Sequence, residues 1–147
     1  MLPTPFLRRL SDTVRPLLAA DPQPLHIQAR GRLLKLWFGP DESIHYEVWI
    51  HDNLQLIELG LHCEADPLRN ARIRRQLGFH MFDIKAALGN SVELEEWDRG
   101  WVRLYETHPL SPLDEPRLDE LARRLATFVT IVQPIYAQLC RVLASDG

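Results

Sequence analysis

His45, Glu47, Glu58 and His62 are the residues of this chain whose types could do chemistry together, because two imidazoles and two carboxylates can hold a divalent cation or share a proton. Hydropathy patterning brings them side by side. Ile44, Tyr46, Val48 and Ile50 alternate with other residues, and so do Ile57, Leu59, Leu61 and Cys63, which is the period of half-buried strands. With the apolar sets on one face, the histidines and glutamates fall on the other, where Lys35 lies beside Glu47 and Glu58 and His26 lies opposite Lys35. The spacing matches no established ligand motif. The plainer reading is preferred, a solvated cross-strand ladder in which Lys35 neutralises Glu47 and no metal is bound.

Two further groups could bind without chemistry. Leu33, Trp37, Trp49 and Leu56 share the outer face with the histidines, and a sheet surface facing only water would not need them. Either a first helix covers them, or they meet a protein partner or a second copy of the chain, or they line a ligand cleft, and the partner reading is the one adopted. Arg69, Arg72, Arg74 and Arg75 open a predicted middle helix, where Arg69, Arg72 and Arg75 could grip phosphates. Basic residues at a helix N-terminus oppose its dipole, so pairing with acids such as Glu64 and Asp66 is the blander account.

Familiar catalytic signatures are missing. The chain has no Gly-rich phosphate loop, no Gly-x-Ser-x-Gly, no Cys-x-x-Cys and no His-Glu-x-x-His, so neither a catalytic residue nor a cofactor is expected. His62 and Cys63 are neighbours on a strand and point to opposite faces, which prevents a thiolate pair. A net charge of −3 argues against a generally basic, nucleic-acid-coating surface. Composition, at 46% apolar and 25% charged over 147 residues, fits one ordinary globular α+β domain spanning 1–147. Cys63 and Cys140 read as buried thiols and suggest a cytoplasmic protein. The N-terminus lacks the apolar run of a signal peptide, and no segment is expected to span a bilayer.

The elements that must position these groups follow from period and punctuation. Phe6, Leu10, Val14, Leu17 and Leu18 mark a first helix opened by Pro3 and Pro5. Leu25–Ala29 and Leu34–Phe38 then alternate around Gly31, ahead of the two strands already named. Pairing Arg32 with Ala29, Phe38 with Ile44 and Ile50 with Gln55 satisfies every hairpin with one apolar face. Asp66-Pro67 caps a middle helix that runs through Ile73, Leu77, Met81, Ile84 and Leu88 to Gly89. A last hairpin joins Val92 and Leu94 to Val102 and Leu104 across Asp98-Arg99-Gly100, with Glu95 opposite Arg103 and a clasp of Trp97 with Trp101.

The C-terminal stretch carries the strongest periodicity. Leu118, Leu121, Leu125, Phe128, Val132, Ile135, Leu139 and Val142 recur at steps of three and four, predicting a helix from Pro116 to Ala144 with Ser111 or Asp114 as cap. It would run about 44 Å at roughly 1.5 Å per residue, against about 38 Å across a compact domain of this length. Such a helix must bend, with Pro134 the natural place, or protrude, or pack on a second subunit. The expected order is α-β-β-β-β-α-β-β-α, a two-layer α+β fold in which an antiparallel meander packs against the long C-terminal helix.

From His45-Tyr46-Glu47-Val48-Trp49-Ile50 through Ile57-Glu58-Leu59, Leu88-Gly89, Trp97 and Val102-Arg103-Leu104, the chain resembles an uncharacterised prokaryotic domain found beside restriction-endonuclease-like nucleases. The resemblance covers roughly Ile44 to Leu139 and implies a defence or nucleic-acid setting. A nuclease of that superfamily would want an acidic residue two before a lysine on a strand; the only such triplet, Asp83-Ile84-Lys85, falls on a predicted helix. In element order the chain is also similar to the small dimeric chaperones of type III secretion effectors. The expectation that results is a non-enzymatic binding module, a homodimer or chaperone-like protein, with a nucleic-acid accessory role as the alternative.

Overall fold

Six segments of period-two patterning pair into one antiparallel sheet in the computed structural model of the chain, which describes residues 1–146. The strands are β1 (Leu25–Arg30), β2 (Leu33–Phe38), β3 (Ile44–His51), β4 (Leu56–Cys63), β5 (Glu93–Trp97) and β6 (Trp101–Pro109), in the spatial order β1-β2-β3-β4-β6-β5. Helices α1 (Pro3–Val14), α2 (Pro67–Phe79), α3 (Met81–Leu88) and α4 (Glu115–Asp146) complete the α+β fold. The middle helix is thus two helices. His80, at φ −102° and ψ 3°, steps out of helical geometry just after Gly78, a weak helix former.

Strand alternation divides the sheet into two unlike faces. Leu34, Leu36, Tyr46, Val48, Ile50, Ile57, Leu59, Leu61, Val102 and Leu104 point to the inner face and are buried. They share one core with Phe6, Leu7, Leu10 and Val14 of α1 and with Leu118, Leu121, Leu125, Phe128 and Val132 of α4. Tyr46 meets Phe128 edge to face at 6.5 Å and donates its hydroxyl to Gln133 Oε1 at 2.9 Å. Because α1 lies with α4 on this side, it does not cover Leu33, Trp37, Trp49 and Leu56.

Register is where sequence and structure part. β2 and β3 pair as expected, Leu36 with Tyr46 and Leu34 with Val48. The other two hairpins are each displaced by two residues: Ala29 faces Leu34 and Ile27 faces Leu36, while Val48 faces Leu59 and Tyr46 faces Leu61. The turns explain this. Gly31, at φ +61°, and Arg32 form the two-residue turn between β1 and β2, and Gln55, at φ +53°, closes the turn before β4 while its side chain donates to Asp52 O at 2.7 Å. A slip of two keeps every apolar residue on the inner face, so hydropathy does not detect it. It does change who faces whom outside: His26 lies opposite Trp37 instead of Lys35, Glu58 opposite Trp49, and His45 opposite His62.

Asp66 caps α2 by accepting from Arg69 N at 2.9 Å, and Asp114, not Ser111, caps α4 by accepting from Arg117 N at 3.0 Å. α4 keeps its 32 residues as one helix through Pro134, about 48 Å at roughly 1.5 Å per residue. Among its described residues after Val132, Leu139 alone is buried, so the last turns run out past the core. The best 18-residue window of α4 has a mean hydropathy of 1.2, enough by length and composition to cross a bilayer, which corrects the expectation that no segment reaches that limit. Only 28% of that window is buried, so the packing of the first half of α4 in the core does not by itself account for it.

A buried ion pair also ties α4 to the sheet. Glu106 points inward from β6 with 3% exposure and accepts from Arg124 Nε at 2.8 Å and from His108 Nε2 at 2.6 Å, while Arg124 also donates to Leu88 O at the end of α3. Burial alone would raise the Glu106 pKa, but the bonds from His108 and Arg124 outweigh it and hold it below the usual carboxylate value. A depressed pKa contributes stability above the unfolded value, near 4.5, that is lost as pH falls through the folded one. Arg124→Met should therefore cost about 3–5 kcal/mol at neutral pH by leaving Glu106 buried and short of a partner. Urea unfolding as a function of pH checks this: the gap between wild type and variant should narrow below pH 4.5.

Candidate functional site

The outer face carries buried charge without a covering layer. His45, Glu47, Glu58 and His62 are 1%, 4%, 2% and 1% exposed, so the solvated ladder expected from sequence is replaced by a desolvated cluster. β3 supplies His45 and Glu47, β4 supplies Glu58 and His62, and Glu64 follows β4 directly, its N–H held by Ser43 O at 2.8 Å. His45 Nδ1 lies 2.8 Å from Glu42 O and its Nε2 lies 2.8 Å from Glu47 Oε1. His62 Nε2 lies 2.6 Å from Glu58 Oε2, and its Nδ1 lies 3.5 Å from both Glu47 Oε1 and Glu64 Oε2. That Nδ1 is buried and makes no hydrogen bond. Lys35 pairs across the sheet with Glu47 by register but forms no salt bridge among the described residues.

Neighbouring flat side chains close the face. Arg103 on β6 bonds Glu58 and, at 2.8 Å, Glu95 on β5, and its guanidinium stacks over Tyr105 at 4.0 Å and over Trp97 at 5.0 Å. Trp97 in turn meets His62 edge to face at 6.0 Å, and it pairs with Trp101 as the expected clasp, at 6.1 Å. Burial works against charge on Glu58, yet His62 and Arg103 hold its pKa below the ordinary value. Burial also opposes a proton on His62; the bond to Glu58 and the carboxylates of Glu64 and Glu47 nevertheless raise its pKa to about 9. Cys63, on the inner face, is pushed by burial to about 12 and is an inert thiol.

The four residues expected to hold a partner are scattered at the edges of this cluster and each is half-buried. His26 stacks on Trp37 at 5.1 Å and His51 tilts over Trp49 at 3.8 Å, so both indoles already have an aromatic cover. Leu33 faces Trp49 across β2 and β3, and Leu56 faces His51.

The arginine cluster divides. Arg69 turns inward, bonding Asp41 and donating to Tyr136 Oη at 2.8 Å, and Arg74 pairs with Glu96 at 3.1 Å; neither uses Glu64 or Asp66 as a salt-bridge partner. Arg72 and Arg75 face solvent with no salt bridge among the described residues. They share one stripe of α2 with Leu68 and Phe79, at steps of four, three and four, while Ile73 and Leu77 hold the buried side. Leu68 is 64% exposed, Phe79 72% and Phe82, in the first turn of α3, 86%. The Arg75 guanidinium sits 5.8 Å from the Phe79 ring centre. Sequence reading missed both phenylalanines, although they fall off the Ile73-Leu77-Met81-Ile84-Leu88 stripe. Asp83-Ile84-Lys85 lies in α3, so it is no strand motif.

A cleft of about 510 Å³ opens between the end of α4 and the loop joining β2 to β3, with Tyr46, Arg69, Gln133, Tyr136 and Cys140 among its walls. Cys140 is therefore half-buried beside the cleft, not the core thiol expected. The Arg69 guanidinium that reaches the cleft is already matched by Asp41 and Tyr136. No known protein family, curated protein or solved structure matches this chain.

Gly60 makes the buried cluster possible. It stands on the outer face between Glu47 and Tyr105, and a Cβ there would lie 2.2 Å from Leu104 O and 2.7 Å from Tyr105 Cα. Those are backbone atoms and cannot swing aside. Gly60→Ala should destabilise the fold by about 1–3 kcal/mol or more through forced separation of β4 and β6, read as a lower midpoint in urea unfolding.

Proposed function

We propose that this protein is a non-enzymatic nucleic-acid-binding module that holds single strands on the exposed surface of α2 and α3. The observation that carries the reading is the pair Phe79 and Phe82, 72% and 86% exposed beside the unpaired Arg72 and Arg75. An aromatic ring in water gains nothing by standing free, but it offers a stacking platform to an unpaired base, and a neighbouring guanidinium can hold the phosphate. A duplex hides its base faces, so the phenylalanines favour single strands over double. The half-buried indoles Trp37 and Trp49, each already stacked on a histidine, offer less free area to a partner. An overall charge of −3 is compatible with a local patch, since exposed charges beyond about 8–10 Å are screened at ordinary salt.

Binding of labelled oligothymidylate, followed by anisotropy at low salt, tests this. Phe79→Ala with Phe82→Ala should weaken binding by about 30-fold or more, since stacking contributes roughly 1–3 kcal/mol per base and two platforms are lost. Arg72→Glu with Arg75→Glu should abolish it, and Arg72→Ala with Arg75→Ala should reduce the log–log salt slope by about 1.4, near 0.7 per phosphate contact. Absence of binding to oligothymidylate and to single-stranded RNA by the folded wild type, or binding indifferent to all four substitutions, would refute the proposal.

A further inference from the structure

The inward face of α4 changes character halfway along. Up to Val132 it fills the core with large side chains such as Leu121, Leu125 and Phe128, but the residues beyond that line the cleft include Ala137, Cys140 and Ala144, all small. The cleft of about 510 Å³ is the space they leave, with Phe38, Ile44 and Leu61 among its other walls. Two ties hold it open. Tyr46, on β3 and 1% exposed, donates to Gln133 Oε1 at 2.9 Å, and Arg69 of α2 donates to Tyr136 Oη at 2.8 Å while it bonds Asp41 in the loop after β2. Asp41 in turn accepts from Ser43 N at 3.0 Å, so that loop is braced as well.

The groups left unmatched in the cleft say what it takes. Its walls are mostly apolar, and the Arg69 guanidinium is neutralised by Asp41. Gln133 accepts from Tyr46, yet its amide nitrogen donates to no acceptor among the described residues. Arg141, exposed and on the same wall, forms no salt bridge among the described residues. Side chains of a helix lean toward its N-terminus, so Arg141 leans over Ala137 toward Gln133, one turn further back. Two free donors thus bracket one small residue. Asp21, whose Oδ1 accepts from Gln23 N at 2.8 Å, is the other lining charge without a salt bridge among the described residues, and it disfavours a second negative charge on any ligand.

We propose that this cleft binds a small amphipathic monocarboxylate, its chain or ring against Phe38, Ile44 and Leu61 and its carboxylate between Arg141 and the Gln133 amide. A guanidinium beside a neutral amide matches one carboxylate through charge-assisted hydrogen bonds, and apolar burial holds the rest of the molecule. One free arginine with an aspartate in the same lining is too little for a phosphate dianion. The volume falls within the roughly 300–1,000 Å³ of small-molecule sites. None of Arg72, Arg75, Phe79 and Phe82 lines the cleft, so the proposal stands apart from the nucleic-acid reading.

Calorimetric titration of the whole chain with sodium decanoate and with naphthylacetate tests the site. The wild type should bind at least one of these acids saturably, and about 10- to 100-fold more tightly than the corresponding alcohol, because hydrogen bonds to a charged group are the stronger kind. The corresponding phosphate monoester should also bind more weakly than the acid. Arg141→Glu, at an exposed position near the helix end where folding is least at risk, should weaken binding by about tenfold or more. Ala137→Trp, which fills the cleft, should abolish it, whereas Phe79→Ala with Phe82→Ala should leave it unchanged. Folded wild type that binds neither acid would overturn the proposal. An alcohol or phosphate ester binding as tightly as its acid would overturn it by removing the part played by the carboxylate. Affinity unaltered in both Arg141→Glu and Ala137→Trp would overturn it as well, by moving the ligand elsewhere.

Discussion

A carboxylate taken out of water must be met by a cation or by donors, and this sheet takes out three: Glu47 and Glu58 on its outer face and Glu106 on its inner one. Each unmatched would cost several kcal/mol, against a net stability of about 5–15 kcal/mol for a whole domain. The surrounding sequence has to supply the match. Arg124 of α4 meets Glu106, Arg103 of β6 meets Glu58, and His62 of β4 stands between Glu58, Glu47 and Glu64. The hydrophobic layers bring these elements together, but the ion pairs decide how α4 lies on the sheet and how β6 lies on β4.

The outer face stays dry by a device unlike the inner one. No helix among the described residues covers it; instead Arg103 stacks over Tyr105 and Trp97, Trp97 meets His62 edge to face, Trp49 tilts over His51, and Gly60 contributes no side chain to the middle of the cluster. A close approach of β4 and β6 at Gly60 brings Arg103 within reach of Glu58, 45 residues away in sequence. Desolvation then strengthens every charge contact inside the cluster, which is why Glu58 stays ionised and His62 is driven toward basic pKa despite burial.

Much of this was legible from residue types. The period of two identified strands β1 to β4 and their common inner face, and the three-four spacing from Leu118 to Leu139 identified α4 and its core role. Turn chemistry was harder. Gln55 has no reputation for positive φ, so the displaced turn before β4 could not be read, and a slip of two leaves hydropathy unchanged. The consequence fell on the site: the slip moves Glu58 away from Glu47, sets His62 against His45, and brings Glu64, which follows the strand, into the cluster. Burial of the four polar residues was invisible for another reason, since Arg103, Trp97 and Tyr105 belong to a hairpin that joins the sheet only after α2 and α3 intervene.

Glu64 also lies between the buried cluster and the exposed stripe of α2. Two residues after it, Asp66 caps α2, and the buried Asn70 clamps the link: its Oδ1 accepts from Ala65 N at 3.0 Å, and its Nδ2 donates to Ala65 O at 2.9 Å and to Gly100 O at 3.0 Å. The start of α2 is thereby fixed both to the end of β4 and to the turn between β5 and β6. A helix held so firmly at its N-terminus has little freedom to rotate about its axis, so the stripe of Leu68, Arg72, Arg75 and Phe79 faces outward because Ile73 and Leu77 cannot leave the core. Exposure of those side chains is therefore a property the fold maintains, not an accident of a loosely packed helix.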